Sequence, residues 1–236
     1  MNNTVKDVVM IRHAQSTWNA QVRFTGWANP PLTDNGIAEA HSAAALLKAA
    51  GYRFDAVYNS VLLRTQQTTQ IILQDMGQQD VPVEADWRLN ERHYGALQGK
   101  NKIEMANKVG EDQVWRWRRG FADLPPVLAD DDPAHPKFDP LYTAVAPERL
   151  PSHENLAMTQ TRVLEFWQER IVADLKSDRS VLISSHGNTL RALLMGLSDM
   201  TVEEVESFEI PTGTPIICEF NGDYRMTSWR YLKGTA

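Results

Sequence analysis

Short apolar runs alternate along this chain with longer segments in which apolar residues recur every three or four positions. The run at 8–11 is apolar and β-favouring throughout, as in a strand that is buried on both faces. Residues 33–50 instead carry one apolar stripe between a capping Thr33 and a terminating Gly51, which is typical of an amphipathic helix. The same reasoning predicts strands at 54–58, 81–84, 180–184, 215–220 and 225–231, and helices at 61–74, 101–109, 111–119, 155–175 and beyond residue 188.

The alternation of strands and helices indicates the fold class. It favours parallel strands joined by crossover helices, so we expect an α/β protein: a three-layer sandwich with a mainly parallel sheet and helices on both faces. A chain of 236 residues suits a single domain, here 1–236. Residues 123–140 are rich in Pro and Asp and predict a loop, so we interpret the segment at about 100–152 as a helical and loop insertion in that domain.

Composition and charge restrict the partners and the compartment. With 24 basic and 30 acidic residues the net charge is -6, which argues against general binding to nucleic acid or to an anionic membrane. The single cysteine, Cys218, cannot form an internal disulfide. The apolar run at 8–11 is too short for a signal peptide or a membrane span. We therefore expect a cytoplasmic protein whose partners are small molecules.

Polar residues suited to phosphate chemistry follow two of the predicted strands. Arg12 and His13 end the first strand, and His186 follows the strand at 180–184. Because ligands of parallel sheets bind at the carboxyl ends of the strands, both histidines are expected at one site. A histidine after a strand is more often structural, but an adjacent arginine can bind phosphate oxygens while a neutral imidazole attacks phosphorus. The pair therefore predicts a phosphoryl-transfer site.

Three other segments offer groups for an acidic ligand. Arg64 begins the second predicted helix, and Glu91 in the segment 90–95 offers a carboxyl for proton transfer. The segment 115–119 combines tryptophan with arginine. Each segment taken alone is compatible with a solvated surface. Their convergence on the two histidines would make an anion-binding pocket.

Five motifs, in this order, resemble one known family. They are RHAQSTWN at 12–19, FTGW at 24–27, LNERHYG at 89–95, WRRGF at 117–121 and HGN at 186–188. Together they are similar to the cofactor-dependent phosphoglycerate mutases, which belong to the histidine phosphatase superfamily. The resemblance extends from about residue 8 to residue 231.

The resemblance implies an activity and a site. It implies interconversion of 3-phosphoglycerate and 2-phosphoglycerate, primed by 2,3-bisphosphoglycerate and without a metal. His13 would carry the phosphoryl group, Glu91 would exchange the proton, and His186 would stabilise the group in transfer. Arg12 and Arg64 complete the implied catalytic set. The implied substrate-binding residues are Ser16, Asn19, Thr25, Gly26, Arg92, Tyr94, Lys102, Arg118, Arg119, Gly187 and Asn188.

The chain departs from the family pattern in three places. Ala14 replaces a usual glycine and fits only at negative φ, because a Cβ at positive φ costs roughly 1 to 2 kcal/mol. Gln15 replaces a common glutamate, and we expect it to make the pocket less acidic. The chain ends at Ala236, soon after Tyr231, where many relatives continue over the site. We expect more side hydrolysis from such a short tail.

Two other functions remain open at this stage. One is a histidine phosphatase that uses the same His13 to hydrolyse a small phosphorylated acid, and the other is a catalytically silent phospholigand-binding protein. A metal site is not favoured, because His153-Glu154 lacks the second histidine of the His-Glu-x-x-His pattern. Relatives commonly form a homodimer or homotetramer, which is an analogy.

Overall fold

The computed structural model describes residues 7–233, which are organised around one six-stranded sheet. Its strands are β1 (Val8–Arg12), β2 (Ala56–Asn59), β3 (Val83–Ala85), β4 (Val181–Ser185), β5 (Pro215–Phe220) and β6 (Met226–Tyr231). Their order across the sheet is β3-β2-β4-β1-β5-β6. The first four are mutually parallel, whereas β5 pairs antiparallel with β1, and β6 pairs antiparallel with β5 at the edge of the sheet. The predicted α/β class with a mainly parallel sheet is confirmed.

Nine α-helices and several single turns connect the strands within the described range. The helices are α1 (Thr17–Ala20), α2 (Asp34–Ala49), α3 (Leu63–Met76), α4 (Lys102–Val109), α5 (Glu111–Arg119), α6 (Leu156–Phe166), α7 (Val172–Lys176), α8 (Gly187–Leu197) and α9 (Val202–Ser207). Short 3-10 turns lie at Trp87–Leu89, Gly95–Leu97, Pro136–Phe138, Pro140–Tyr142 and Pro147–Arg149. None of the helices in residues 7–233 is long and apolar enough to cross a membrane.

Strand β1 shows how the three layers arise from the sequence. Successive side chains of a strand point to opposite faces. Val9 and Ile11 accordingly pack in a core with residues of α2 and α3, while Val8 and Met10 pack in a second core with residues of α6 and α8. All four side chains are fully buried. An unbroken apolar run therefore corresponds to a strand that is covered by helices on both faces.

Helix ends follow the local signals in most places. Thr33 caps α2 by accepting a hydrogen bond from the Gly36 N–H at 3.0 Å. Gly77 ends α3 with φ +68, a left-handed conformation that glycine adopts without a Cβ clash.

The predicted helical stretch at 155–175 is confirmed, with an irregularity in its middle. The segment is α6, a π-helical turn at Trp167–Ile171, and α7. Helices α1 and α9 were not predicted, because helices of four and six residues are too short to show a periodic apolar stripe. Residues 1–6 and 234–236, on which the expectations about the N-terminus and the short tail partly rest, lie outside the described residues.

Candidate active site

His13 lies just beyond the carboxyl end of β1 and is almost completely buried. Its Nδ1 is 2.7 Å from the carbonyl oxygen of Ala14. A carbonyl can only accept a hydrogen bond, so Nδ1 carries the proton and Nε2 keeps its lone pair. Arg64 donates its Nε–H to that Nε2 at 3.2 Å, which requires the same tautomer. The neighbouring backbone thus prepares Nε2 as the nucleophilic atom of the ring.

The surroundings of His13 keep the imidazole neutral. Burial, followed by the positive charges of Arg64 and Arg12, holds the pKa of His13 well below its ordinary value. A protonated imidazole has no lone pair with which to attack phosphorus. A low pKa therefore keeps the nucleophilic form present at neutral pH.

His186 is the N-cap residue immediately before α8 and lies against His13, with the two ring centroids 5.0 Å apart in an edge-on arrangement. Its Nε2 is 2.8 Å from the Ser60 hydroxyl, and its buried Nδ1 has no partner within residues 7–233. Burial, then Arg64 and His13, holds the pKa of His186 well below its ordinary value. His186 is therefore positioned against the ring of His13 by a hydroxyl that the sequence patterns did not indicate.

Arg64 is fixed by bonds to backbone carbonyls as well as to His13. Its two terminal nitrogens donate to Ala28 O and Gly26 O, each at 2.8 Å. Gly26 has φ +53, and a Cβ there would lie 2.9 Å from the side-chain oxygen of Gln98, so a residue without a side chain suits this turn. Burial lowers the pKa of Arg64 to about 10. The guanidinium thus carries its charge at neutral pH beside the nucleophile.

Arg12 retains a buried donor that has no partner among residues 7–233. Its Nη1 donates to Ile210 O at 2.7 Å, whereas its Nε has no acceptor within the described residues. Gly187 lies against this guanidinium, since a Cβ on it would be 3.4 Å from the Arg12 Nε. Buried N–H groups normally have partners. A phosphate oxygen would supply one.

Glu91 is held by one of its two carboxylate oxygens. Its Oε1 accepts hydrogen bonds from the backbone N–H of Arg92 at 2.8 Å and of Asn188 at 3.2 Å. The second of these donors belongs to the first turn of α8, where free N–H groups favour an anion. This arrangement orients the carboxylate and leaves Oε2 for proton exchange with a ligand.

A buried ion pair holds the backbone on either side of Glu91. Arg162 and Glu154 are bonded at 2.7 and 2.9 Å, and both side chains are more than 90% buried. Arg162 also donates to the carbonyl oxygens of Arg88, Asn90 and Glu91, at 2.8 to 2.9 Å. The position of Glu91 therefore depends on a pair from α6 and the segment before it.

Cationic side chains outnumber carboxylates in the lining of the cavity in front of His13. The lining residues are Arg12, His13, Asn19, Thr25, Gly26, Arg64, Glu91, Tyr94, Lys102, Arg118, Arg119, Gly187, Asn188, Arg191, Glu209 and Ile210. Six of these side chains are arginine or lysine and two are carboxylates. Burial lowers the pKa of Lys102 and of Arg119, as expected for cations gathered in a partly desolvated space. Such a cavity suits a ligand with several negative charges.

Three residues from the predicted site do not line this cavity. Ser16 caps α1, and its hydroxyl bonds to the Asn19 side chain at 2.9 Å. Arg92 is fully buried behind the cavity, 5.3 Å from the ring centre of Tyr94, and two of its nitrogens lack partners within residues 7–233. His186 is likewise fully buried, in contact with His13. The structure brings the other thirteen together around one space.

The cavity also contains three residues that the motifs did not indicate. Arg191 follows Asn188 by one helical turn and donates to its side-chain oxygen, so its position could have been inferred from helical spacing. Burial lowers the pKa of Arg191 to about 9. Glu209 and Ile210 follow α9, and no local pattern relates them to the histidines.

The two departures next to His13 are accommodated in different ways. The φ of Ala14 is not positive, so its Cβ causes no backbone strain. The Ala14 side chain packs against Leu32 and Ala40. Gln15 was expected to change the pocket, but its side chain accepts a hydrogen bond from the Thr33 hydroxyl at 2.9 Å, at the beginning of α2. Gln15 is not among the residues that line the cavity.

No group of three or more metal-ligating side chains occurs in the part of the chain that the structure describes.

The fold and the site define an α/β protein with a neutral histidine at a cationic sheet edge. The Histidine phosphatase superfamily (branch 1) matches residues 8–135 and 128–231. Because the match covers most of the sequence, the chain belongs to the histidine phosphatase superfamily, branch 1.

Solved structures share the fold at low sequence identity. An alpha-ribazole phosphatase from Shigella flexneri is 24% identical with a TM-score of 0.68, and the alignment covers 97% of this chain and 96% of that one. A mycobacterial glucosyl-3-phosphoglycerate phosphatase is 19% identical with a TM-score of 0.70, covering 96% of each chain. YhfR from Bacillus stearothermophilus is 23% identical with a TM-score of 0.69, covering 94% of each chain.

Proposed function

We propose that this protein interconverts 3-phosphoglycerate and 2-phosphoglycerate through a phosphohistidine at His13, primed by 2,3-bisphosphoglycerate. The observation that carries the proposal is the charge of the cavity. Arg64 donates a hydrogen bond to His13, and Arg12 lines the same cavity. Four further cations in the lining come from α4, α5 and α8. One phosphate needs fewer partners than this. A three-carbon acid with a carboxylate and two phosphates would use them all.

His13 and Glu91 perform the bond changes in this proposal. His13 Nε2 attacks phosphorus, the bond to the departing oxygen breaks, and Glu91 gives that oxygen a proton. The phosphohistidine then reacts with 3-phosphoglycerate: Glu91 takes the proton from its free 2-hydroxyl, and that oxygen receives the phosphoryl group from His13, which gives 2,3-bisphosphoglycerate. The bisphosphate turns within the cavity, His13 attacks its 3-phosphate, and Glu91 returns the proton to the departing oxygen, which leaves 2-phosphoglycerate and a phosphohistidine. Arg12 and Arg64 stabilise the charge that spreads over the phosphoryl oxygens during each transfer.

The remaining cations would hold the acid while it turns. Lys102, Arg118 and Arg119 belong to α4 and α5, the predicted insertion, rather than to the sheet edge. They line the same cavity as His13. These three cations are separate from Arg12 and Arg64, which lie beside His13. They could therefore hold the ligand between two phosphoryl transfers, which supports the mutase reaction.

The proposal is tested by supplying 3-phosphoglycerate with and without 2,3-bisphosphoglycerate and measuring both 2-phosphoglycerate and free phosphate. We expect 2-phosphoglycerate to form, faster with the bisphosphate, because the bisphosphate loads His13. Release of phosphate without 2-phosphoglycerate would contradict the proposal. Formation of neither product would also contradict it.

A histidine phosphatase is the second candidate, and the names of similar solved structures favour it. Two of those named above are phosphatases, one of which acts on a glucosylated phosphoglycerate according to its name. At 19 to 24% identity these structures support the fold alone. In a phosphatase, water rather than a second hydroxyl would take the group from His13, so the same assay distinguishes the two candidates.

Replacing Glu91 with glutamine is expected to slow turnover by roughly a hundred- to ten-thousandfold, because a positioned proton donor contributes about that much. Glutamine retains the shape and the bonds to Arg92 N and Asn188 N, so the affinity for 3-phosphoglycerate should change far less. Steady-state kinetics and calorimetry measure the two quantities. Glu104→Gln, an exposed change on α4, is the control and should behave as wild type. Wild-type turnover in Glu91→Gln would remove Glu91 from proton transfer.

A further inference from the structure

Glu209 is a carboxylate in a cavity built for anions. The other carboxylate of the lining, Glu91, is held by backbone N–H groups and has a place in proton transfer. Glu209 instead follows α9 at the rim, with its side chain 69% exposed, and forms an ion pair with Arg119. No step of the proposed reaction uses it.

Arg119 is held in place by the segment that carries Glu209. Its Nη1 donates to Phe208 O at 3.1 Å, and its Nη2 is paired with the Glu209 carboxylate. Arg119 is 14% exposed, and burial, followed by the positive charge of Arg118, lowers its pKa. Glu209 therefore provides a counter-charge for Arg119.

An acidic ligand that contacts Arg119 has to take the place of this carboxylate. An ion pair that faces solvent is weak, so the exchange is reversible. A small anion bound beside His13 would leave the pair intact, because its contacts are with Arg12 and Arg64. The effect of Glu209 thus depends on how far the ligand extends from the nucleophile.

We propose that Glu209 is a specificity-determining residue, an internal anion that occupies Arg119 until the acidic end of the ligand replaces it. The inference rests on the proposed function, in which the cavity binds a multiply charged acid. Glu209 raises the dissociation constant of ligands that reach Arg119 and promotes their release. It does not affect binding of single phosphate ions at His13.

Calorimetry on Glu209→Gln tests the inference with three probes: 3-phosphoglycerate, citrate and inorganic phosphate. We expect the first two to bind about two- to fivefold more tightly than to wild type, the range for a partly exposed ion pair. Inorganic phosphate should bind with unchanged affinity. Glu203→Gln is the matched control, since it removes the same charge from the exposed first turn of α9. It should leave all three affinities unchanged.

A second comparison separates the ion pair from a general charge effect. In an Arg119→Met background, Glu209→Gln should no longer tighten binding, because the pair is already absent. Unchanged affinities in Glu209→Gln, or an equal gain in Glu203→Gln, would overturn the inference. Citrate takes no part in phosphoryl transfer, so its binding tests Glu209 even if the product assay contradicts the mutase. If the wild-type protein forms 2-phosphoglycerate but Glu209→Gln binds 3-phosphoglycerate and citrate as the wild type does, the role of Glu209 is overturned and the proposed function is not.

Discussion

Replacing His13 with alanine is expected to abolish phosphoenzyme formation and to reduce turnover by roughly 10⁴- to 10⁶-fold, the scale seen when a nucleophile is removed. The reason is local: Nε2 is the unprotonated nitrogen of a ring whose low pKa keeps it neutral. Incubation with labelled 2,3-bisphosphoglycerate should give acid-labile label on the wild-type protein and none on the variant.

The matched control for this experiment is His41→Ala. His41 is an exposed histidine bonded to Asp75, on the outer side of α2. It should take up label as the wild-type protein does. Equal labelling of His13→Ala and the wild type would contradict both the mutase and the phosphatase, since each requires this phosphohistidine.

Replacing Arg162 with methionine is expected to lower the free energy of unfolding by about 3 to 5 kcal/mol, the loss typical when one partner of a buried ion pair is removed. Glu154 would be left charged and buried, and three carbonyl oxygens beside Glu91 would lose their donor. Urea unfolding followed by circular dichroism measures the change. Turnover should also fall, because the backbone that orients Glu91 loses its support.

Two comparisons make this result specific. Arg149→Met removes an exposed pair with Glu165, so we expect a loss of at most about 1 kcal/mol. A double variant with methionine at both Arg162 and Glu154 lacks both buried charges. Its free energy of unfolding should fall less than that of Arg162→Met. If Arg162→Met were as stable as Arg149→Met, the buried pair would not be supporting the site.

Much of the fold could be read from local patterns. The apolar run at β1 has to be covered on both faces, and the stripe of α2 needs one buried face, so layers of helices around a sheet follow. The irregular part of the chain was less accessible. The π-helical turn at Trp167–Ile171 does not interrupt the apolar pattern, because all its residues remain compatible with a helix.

The candidate site was predictable where residues share a strand end. Arg12 and His13 end β1, and His186 follows the neighbouring parallel strand β4, so their convergence follows from topology. The local bonds of Ser16 and Gln15 were less predictable. Ser16 caps α1, Gln15 accepts a hydrogen bond from Thr33, which caps α2, and sequence patterns do not distinguish such a hydroxyl or amide from a ligand-binding one.

The sequence by itself determined the alternation of strands and helices, the position of His13 at a strand end and the motifs of its superfamily, because these depend on residues that are close in the chain. The tertiary structure decided which nitrogen of His13 carries the proton, that Ser60 holds His186, and that Glu209 pairs with Arg119. The last two contacts join residues 126 and 90 positions apart. Such contacts depend on how packed layers meet, which no local periodicity records.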